Sequence, residues 1–371
     1  MATAARRRSP GQGTPTLADL RRAATTRSLF TALTPGDAVA ALGFVQADPI
    51  RSPARAQDLT LRHRVAGYRA GDLERRYPDQ GVEEDFFVNY GFVPATIAAW
   101  LHPRTRLGAW PSPGRHVAQA VLAFVREHGR VHPRHVDAAF KRGSVTNYWG
   151  GSSSATTHLL DHLHYRGLLR VVGRENGIRV YEARPPAQPV ADLRERRRRL
   201  DGLIDLLVRK YAPVPSPTLT WLVGRLRLAT PQWQGALKTA LERAKRRLSS
   251  SRVGGVDWYW PTDEPLCDRE PDEHVRLVAP FDPVVWDRRR FEILWGWPYR
   301  FEAYTPEPRR RFGYYALPVL WRDRVVGWAN VSRRDDGLAV DLGYAAGHAP
   351  RDRGFRAALS DELDRLERFL G

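Results

Sequence analysis

Gln46, Ala47 and Asp48 sit in the run Gly43-Phe-Val-Gln-Ala-Asp-Pro-Ile50. On an extended chain residues two apart point to the same side, so Gln46 and Asp48 present an amide and a carboxylate together. Pro49 biases Asp48 to extended geometry and ends the run. Such a pair can hold one water, the carboxylate accepting its proton while the amide orients it. The same three residues also fit a capped turn with no chemistry. Arg51, Arg55 and Arg62 follow at once and could clamp phosphates, or form a solvated helix face.

Other chemistry finds less support. His128, His132 and His135 are close, but Gly129 and Pro133 break any helical face that would align them. His158 and His162 are four apart on one helical face without a third ligand, and suit a DNA-facing or solvated edge. No phosphate-binding GxxxxGK[ST] loop and no GxGxxG after a strand is present, so no nucleotide hydrolysis, Rossmann redox chemistry or cofactor is expected. The single cysteine, Cys267, excludes an intramolecular disulfide framework and a Cys-rich zinc module.

These residues belong to a chain of 371, with 59 Lys+Arg against 41 Asp+Glu and a net charge of +18. At 42% apolar and 27% charged it has the composition of a soluble globular protein of two to three domains. No apolar run approaches the ~18 residues a membrane span needs. Residues 1–13 are basic and small without an apolar core, a disordered tail rather than a signal peptide. A cytoplasmic, nucleoid-associated location is expected, with no membrane partner. The surplus of cations calls for a polyanionic partner. Lys141, Lys210, Lys238 and Lys245 are the only lysines. A GC-rich genome would explain arginine in place of lysine, but not the excess over acid.

The elements that must position the Gln46 run are partly legible. Thr16 to Arg27 forms a helix capped by Thr16, and Pro35 to Leu42 a second one stopped by Gly43. From Gly114 to Tyr181 three helices are predicted, the third opened by Ser152, Ser153 and Ser154. Two β-rich runs joined at Asn176-Gly177 follow, a strong hairpin signal. Three helices and a hairpin make a winged helix, in which Ser152–Ser154 and the wing residues Arg174 and Arg179 would contact the DNA backbone. A helix from Asp192 to Lys210, helical runs at 219–226 and 233–248, and a hairpin over 251–260 repeat the plan. From Leu266 the texture becomes aromatic and Pro/Gly-punctuated, a small β-rich domain closed by a helix from Phe355 to Leu370. The fold class expected is α+β: tandem winged-helix units forming a basic channel, plus a C-terminal β-rich domain. Its divisions are 1–13, 14–110, 111–184, 185–262 and 263–371.

The chain resembles the YcaQ-like and AlkZ-like winged-helix DNA glycosylases. The carriers are Gly43 to Ile50, Leu163-His-Tyr-Arg-Gly-Leu-Leu-Arg170, Gly177-Ile-Arg-Val-Tyr-Glu182 and Ala279-Pro-Phe-Asp-Pro283. Trp286-Asp-Arg-Arg-Arg290, Tyr299-Arg-Phe-Glu302 and Arg311-Phe-Gly-Tyr-Tyr-Ala-Leu-Pro318 complete them. The resemblance spans about Thr16 to Ala346. It implies three winged-helix units around a basic channel and a C-terminal β-domain. It also implies a catalytic Gln-x-Asp motif at Gln46 and Asp48, in the branch less restricted in substrate. Family members often carry a Trp and a His after the first unit, where this chain has Asp85-Phe-Phe-Val-Asn-Tyr-Gly-Phe-Val93. Asp282, Asp287, Arg289 and Glu302 suit ion pairs that fix the C-terminal domain.

The resemblance implies a monofunctional glycosylase acting on double-stranded DNA with N7-alkylated or crosslinked purines, without cofactor or metal, as a monomer. Asp48 would activate water and Gln46 orient it. A lyase would need an amine nucleophile, and the lysines lie far from Gln46 in sequence. Two rival readings remain: a winged-helix transcription regulator without catalysis, and a metal-dependent nuclease.

Overall fold

The computed structural model describes residues 14–108, 110, 114–140, 144–146, 152–266, 270–335 and 337–371. The expected basic tail, Lys141 and Cys267 lie outside them. The class is α+β, with short antiparallel sheets set between helices. Among the described residues no helix is long and apolar enough to cross a membrane.

The chain opens with α1 (Leu17–Ser28) and α2 (Pro35–Leu42), each begun by a threonine capping box, Thr16 with Asp19 and Thr34 with Asp37. Next comes β1 (Val45–Gln46), a strand of two residues. After α3 (Ala56–Leu61) and α4 (Asp72–Arg76), β2 (Val82–Phe86) and β3 (Tyr90–Pro94) form a hairpin that leads into α5 (Ala95–Leu101). The sheet order β1-β3-β2 puts β3 in the middle, with Gln46 opposite Gly91. A side chain at position 91 would collide with the Val45 carbonyl at 2.2 Å, so β1 can lie where it does only against glycine.

Then come α6 (Arg115–His128), α7 (Pro133–Phe140), β4 (Ser144–Thr146), β5 (Ser152–Ser154), α8 (Ala155–Tyr165), β6 (Leu169–Glu175) and β7 (Ile178–Ala183). Ser152–Ser154, expected to open a helix, form a strand paired with β4, and the helix starts only at Ala155. The β6–β7 turn at Asn176 and Gly177 has φ of 50° and 81°, the left-handed pair that a two-residue hairpin requires.

A parallel sequence of elements follows: α9 (Leu193–Tyr211), capped by Asp192, β8 (Val214–Pro215), α10 (Ser216–Ala229), α11 (Leu237–Arg247), β9 (Ser249–Val253) and β10 (Val256–Trp260). The C-terminal part holds β11 (Val275–Leu277), α12 (Arg288–Trp295), β12 (Leu317–Trp321), β13 (Arg324–Arg334), β14 (Gly337–Tyr344) and α13 (Arg353–Leu370). Its strands form one antiparallel sheet in chain order. Within this part, expected as a whole to be β-rich, residues 278–316 contain only α12 and a short 3-10 turn. Their many prolines deny a sheet its donors, so this stretch instead winds as irregular chain toward β1.

Apolar packing runs across these segments. One core joins α2, the β1–β3 sheet, α6, α8 and the C-terminal sheet, and a second joins α1, α5, α9, α10 and α11. The strand β1 lies between them: Val45 belongs to the first core and Phe44 to the second.

Candidate functional site

Gln46 ends β1, and its side-chain carbonyl accepts two hydrogen bonds. Asn89 Nδ2, from the β2–β3 turn, donates at 2.9 Å, and Trp286 Nε1 donates at 2.9 Å. Two donors identify that atom as oxygen and settle which way the amide faces. Asn89 is fixed in turn, because Arg225 Nη2 on α10 donates to its Oδ1 at 2.7 Å and to the Val88 carbonyl at 2.7 Å. Trp286 is held between Tyr211, stacked at 5.0 Å, and Trp221 at 5.3 Å. With Oε1 occupied, the Gln46 NH2 is the group left to donate.

Asp48, two residues on, is half-buried. Its Oδ1 accepts from the Ile50 amide at 2.9 Å, so the turn reading holds for one oxygen. For Oδ2 no protein donor is found among the described residues. Gln57 on α3 accepts from the Asp48 amide at 3.4 Å and donates to Glu74 at 3.0 Å, which fixes the main chain beneath the carboxylate. Burial pushes the Asp48 carboxyl above its usual range, against the pull of the Ile50 amide. Tyr304 and Tyr315 lie near enough that, after burial, the charge of Asp48 raises both phenols. The arrangement is thus an amide donor and a free carboxylate oxygen, one on each side of Ala47. It can receive a water through its oxygen and accept one of its protons.

The predicted phosphate contacts are placed differently. Arg51 is exposed and has no ion pair among the described residues. Arg55 pairs with Glu74 and Arg62 with Glu362 on α13, both guanidinium groups largely buried. Arg174 grips the buried Glu84 with two bonds, at 2.8 and 2.7 Å. Arg179 bonds Asp161 at 2.7 Å and covers the Tyr90 ring. In the structure all four guanidinium groups are paired with carboxylates. The acids that neutralise them lie 18 to 300 residues away in sequence.

The C-terminal motif also departs from expectation. Asp282 does form an ion pair, with Arg64 at 2.7 Å. Asp287 instead caps α12 and accepts from Thr218, and Glu302 accepts from the amides of Arg311, Phe312 and Gly313. Arg289 has no ion pair among the described residues. Arg290 is the buried arginine, donating to the Pro213 carbonyl at 2.9 Å. His162 stacks near Trp110 at 5.6 Å and accepts from Arg166 at 2.7 Å, and burial holds its pKa at about 4. Among the described residues no three His, Cys, Asp or Glu side chains are placed to hold a metal ion.

Sequence distance misled for Lys210. Its ammonium donates to the Phe44 carbonyl, two residues from Gln46, and lies over the Phe44 and Tyr211 rings. Complete burial lowers its pKa to about 7. Asn89, Arg225 and Trp221 escaped the sequence reading. Asn89 and Trp286 each lie within a segment that reading had singled out, but nothing in the sequence tied either to Gln46.

The family described as "DNA glycosylase AlkZ-like" matches residues 39–369. The fold is similar to that of Streptomyces sahachiroi DNA glycosylase AlkZ, with a TM-score of 0.62 and 15% sequence identity over 96% of this chain and 97% of that one.

Proposed function

The chain belongs to the AlkZ-like DNA glycosylase family, a group of hydrolases acting on DNA, and from that premise we propose that it releases N7-alkylated purines and unhooks interstrand crosslinks through Gln46 and Asp48. Alkylation at N7 makes the purine cationic and weakens its bond to C1′, so the leaving group needs little acid assistance. What remains is to stabilise an oxocarbenium-like sugar and deliver water. Gln46 Nε2 donates to the water oxygen, Asp48 Oδ2 accepts its proton, and the second lone pair attacks C1′ as the bond to N9 breaks. The observation that carries this reading is the double hydrogen bond onto Gln46 Oε1, which leaves the donor end of the amide for water.

On this reading the elements α6 to α8 with hairpin β6–β7, and α9 to α11 with hairpin β9–β10, are winged-helix units at 111–184 and 185–262. Residues 14–110 form a divergent first unit, and 263–371 the β-rich domain. Together they frame a basic channel for duplex DNA, with Arg51 and the Ser152–Ser154 strand touching backbone phosphate. The protein acts as a monomer near the nucleoid. Family membership does not favour the regulator.

The test is single-turnover release from a duplex with one N7-methylguanine, beside a nitrogen-mustard crosslink, in EDTA. Asp48→Asn is expected to lose about 10²–10⁴-fold in rate while retaining DNA binding. Full activity in that variant overturns the assignment.

Lys210, buried and with a lowered pKa, has the character of Schiff-base lysines. Its ammonium is occupied by the Phe44 carbonyl behind β1, within the second core, which supports a monofunctional enzyme that leaves an abasic site. Borohydride is expected to trap no covalent adduct. An adduct lost in Lys210→Gln would make the enzyme a lyase.

A further inference from the structure

Next to the Trp286 side of the Gln46 clamp lies a pocket of about 460 Å³, lined by Thr218, Trp221, Trp286, Asp287, Arg288 and Arg289 among others. That size falls within the ~300–1,000 Å³ of small-molecule sites. Trp221 leaves half its surface exposed, 50%, although it touches a nearly closed aromatic stack. Exposed apolar area of this size costs free energy unless something covers it. Arg288 and Arg289 are exposed and without an ion pair among the described residues, whereas Arg55, Arg62, Arg64 and Arg104 are each paired with a carboxylate. Asp287, whose oxygens accept from the Arg289 amide and the Thr218 hydroxyl, makes no ion pair with either guanidinium. An open indole beside two free guanidinium groups is the combination that binds a nucleotide: the base stacks, the phosphate pairs.

We propose that this pocket is the lesion subsite, which takes the N7-alkylated purine nucleotide out of the stack, its base against Trp221 and its phosphate against Arg288 and Arg289. This rests on the Gln46–Asp48 reading, which places the chemistry on the other edge of Trp286. A purine made cationic by N7-alkylation stacks on an indole with a cation–π contribution that an undamaged base lacks. Trp221 therefore discriminates damaged from normal purine. Trp286 carries the pocket and the catalytic amide at once: its ring forms a wall, and its N–H holds Gln46.

The experiment measures binding apart from chemistry, by fluorescence anisotropy on two duplexes. One carries a single 2′-fluoro-7-methyldeoxyguanosine, whose fluorine blocks hydrolysis, and the other is undamaged. Trp221→Ala is expected to weaken the lesion duplex roughly 5- to 100-fold and leave the undamaged one unchanged, with Trp221→Phe restoring most of the loss. Equal weakening on both duplexes, or none, overturns the subsite. The Arg288→Ala/Arg289→Ala double variant is expected to lower the salt slope of binding by about one to two. An unchanged slope removes the phosphate half of the proposal. Asp48→Asn, run alongside, is expected to discriminate like wild type while releasing base from the hydrolysable lesion about 10²–10⁴-fold more slowly. If it releases base at the wild-type rate, the catalytic reading fails, and the binding arm judges the subsite independently.

Discussion

At the scale of single residues, the site depends on which way one amide faces. Gln46 Oε1 is held by Asn89 and Trp286, so removing either donor should let the amide rotate and present its carbonyl to the water. Asn89→Leu also removes one of the two acceptors of the Arg225 guanidinium, leaving it the Val88 carbonyl. Each lost hydrogen bond is worth about 1 kcal/mol, so we expect kcat to fall roughly 3- to 10-fold per variant in Trp286→Phe and Asn89→Leu. KM and duplex affinity should stay put, since Trp286→Phe keeps an aromatic wall in the pocket and Asn89 is not among the residues that line it, and a change in KM alone would show that the lost donors bind substrate instead. Asp48 sets the pH dependence. It must be ionised to take the proton, so kcat/KM falls as pH drops through its pKa. Burial raises that pKa, so the acid limb should lie higher than for an exposed aspartate. Single-turnover rates against pH check this, and a limb that persists in the residual activity of Asp48→Asn belongs to another group.

At the scale of elements, a strand of two residues carries the chemistry, and β3 holds it in place. Gly91→Ala would drive a methyl into the Val45 carbonyl, at 2.2 Å, and toward the Gln46 Cα, at 2.9 Å. The strand must shift by several tenths of an ångström, and a misplacement of that order can cost about 10²-fold in rate. The variant is expected to stay folded by circular dichroism and lose roughly 10- to 100-fold in excision, and a wild-type rate would show that β1 tolerates displacement. The local signals that built this frame were legible in the sequence: the caps of α1 and α2, the extended Gln46 run before Pro49, and the Asn176-Gly177 hairpin. Each is decided by neighbours within a few positions. The clamps were not legible, because pairing Arg62 with Glu362 or Trp286 with Gln46 is a property of tertiary packing over 300 and 240 residues. The arginines of such a chain look like surface until their distant acids are located. The irregular course of 278–316 was not legible for a related reason. Its aromatic residues have strand propensity, but they are fixed by packing on one another, as Phe291, Trp297, Tyr299 and Phe312 are, and not by a ladder of backbone bonds.

At the scale of the whole molecule, the C-terminal part completes a site begun near the N-terminus, and the buried ion pair of Arg64 with Asp282 helps to join them. Arg64 and Asp282 are both essentially unexposed and bonded through two contacts, at 2.7 and 3.1 Å. Arg64 also donates to the carbonyls of Ser28 at 2.8 Å and Thr60 at 2.6 Å. The Asp282 carbonyl accepts from the amide of Trp286 at 2.8 Å, so the ion pair anchors the turn that carries the Gln46 donor. Removing one partner leaves a buried charge, so Asp282→Asn is expected to destabilise the fold by about 3–5 kcal/mol. Replacing both, as Arg64→Met with Asp282→Leu, removes the charge and its desolvation, and should return most of that stability in a urea melt. It does not return the turn: Asp282 Oδ1 also accepts from the Val284 amide at 3.0 Å, and leucine cannot. We therefore expect the double variant to melt near wild type while its excision rate stays reduced about 10-fold or more, the loss appearing in kcat. Recovery of rate together with stability would make the pair a staple alone, whereas stability without rate makes it the link through which the C-terminal part sets the catalytic amide.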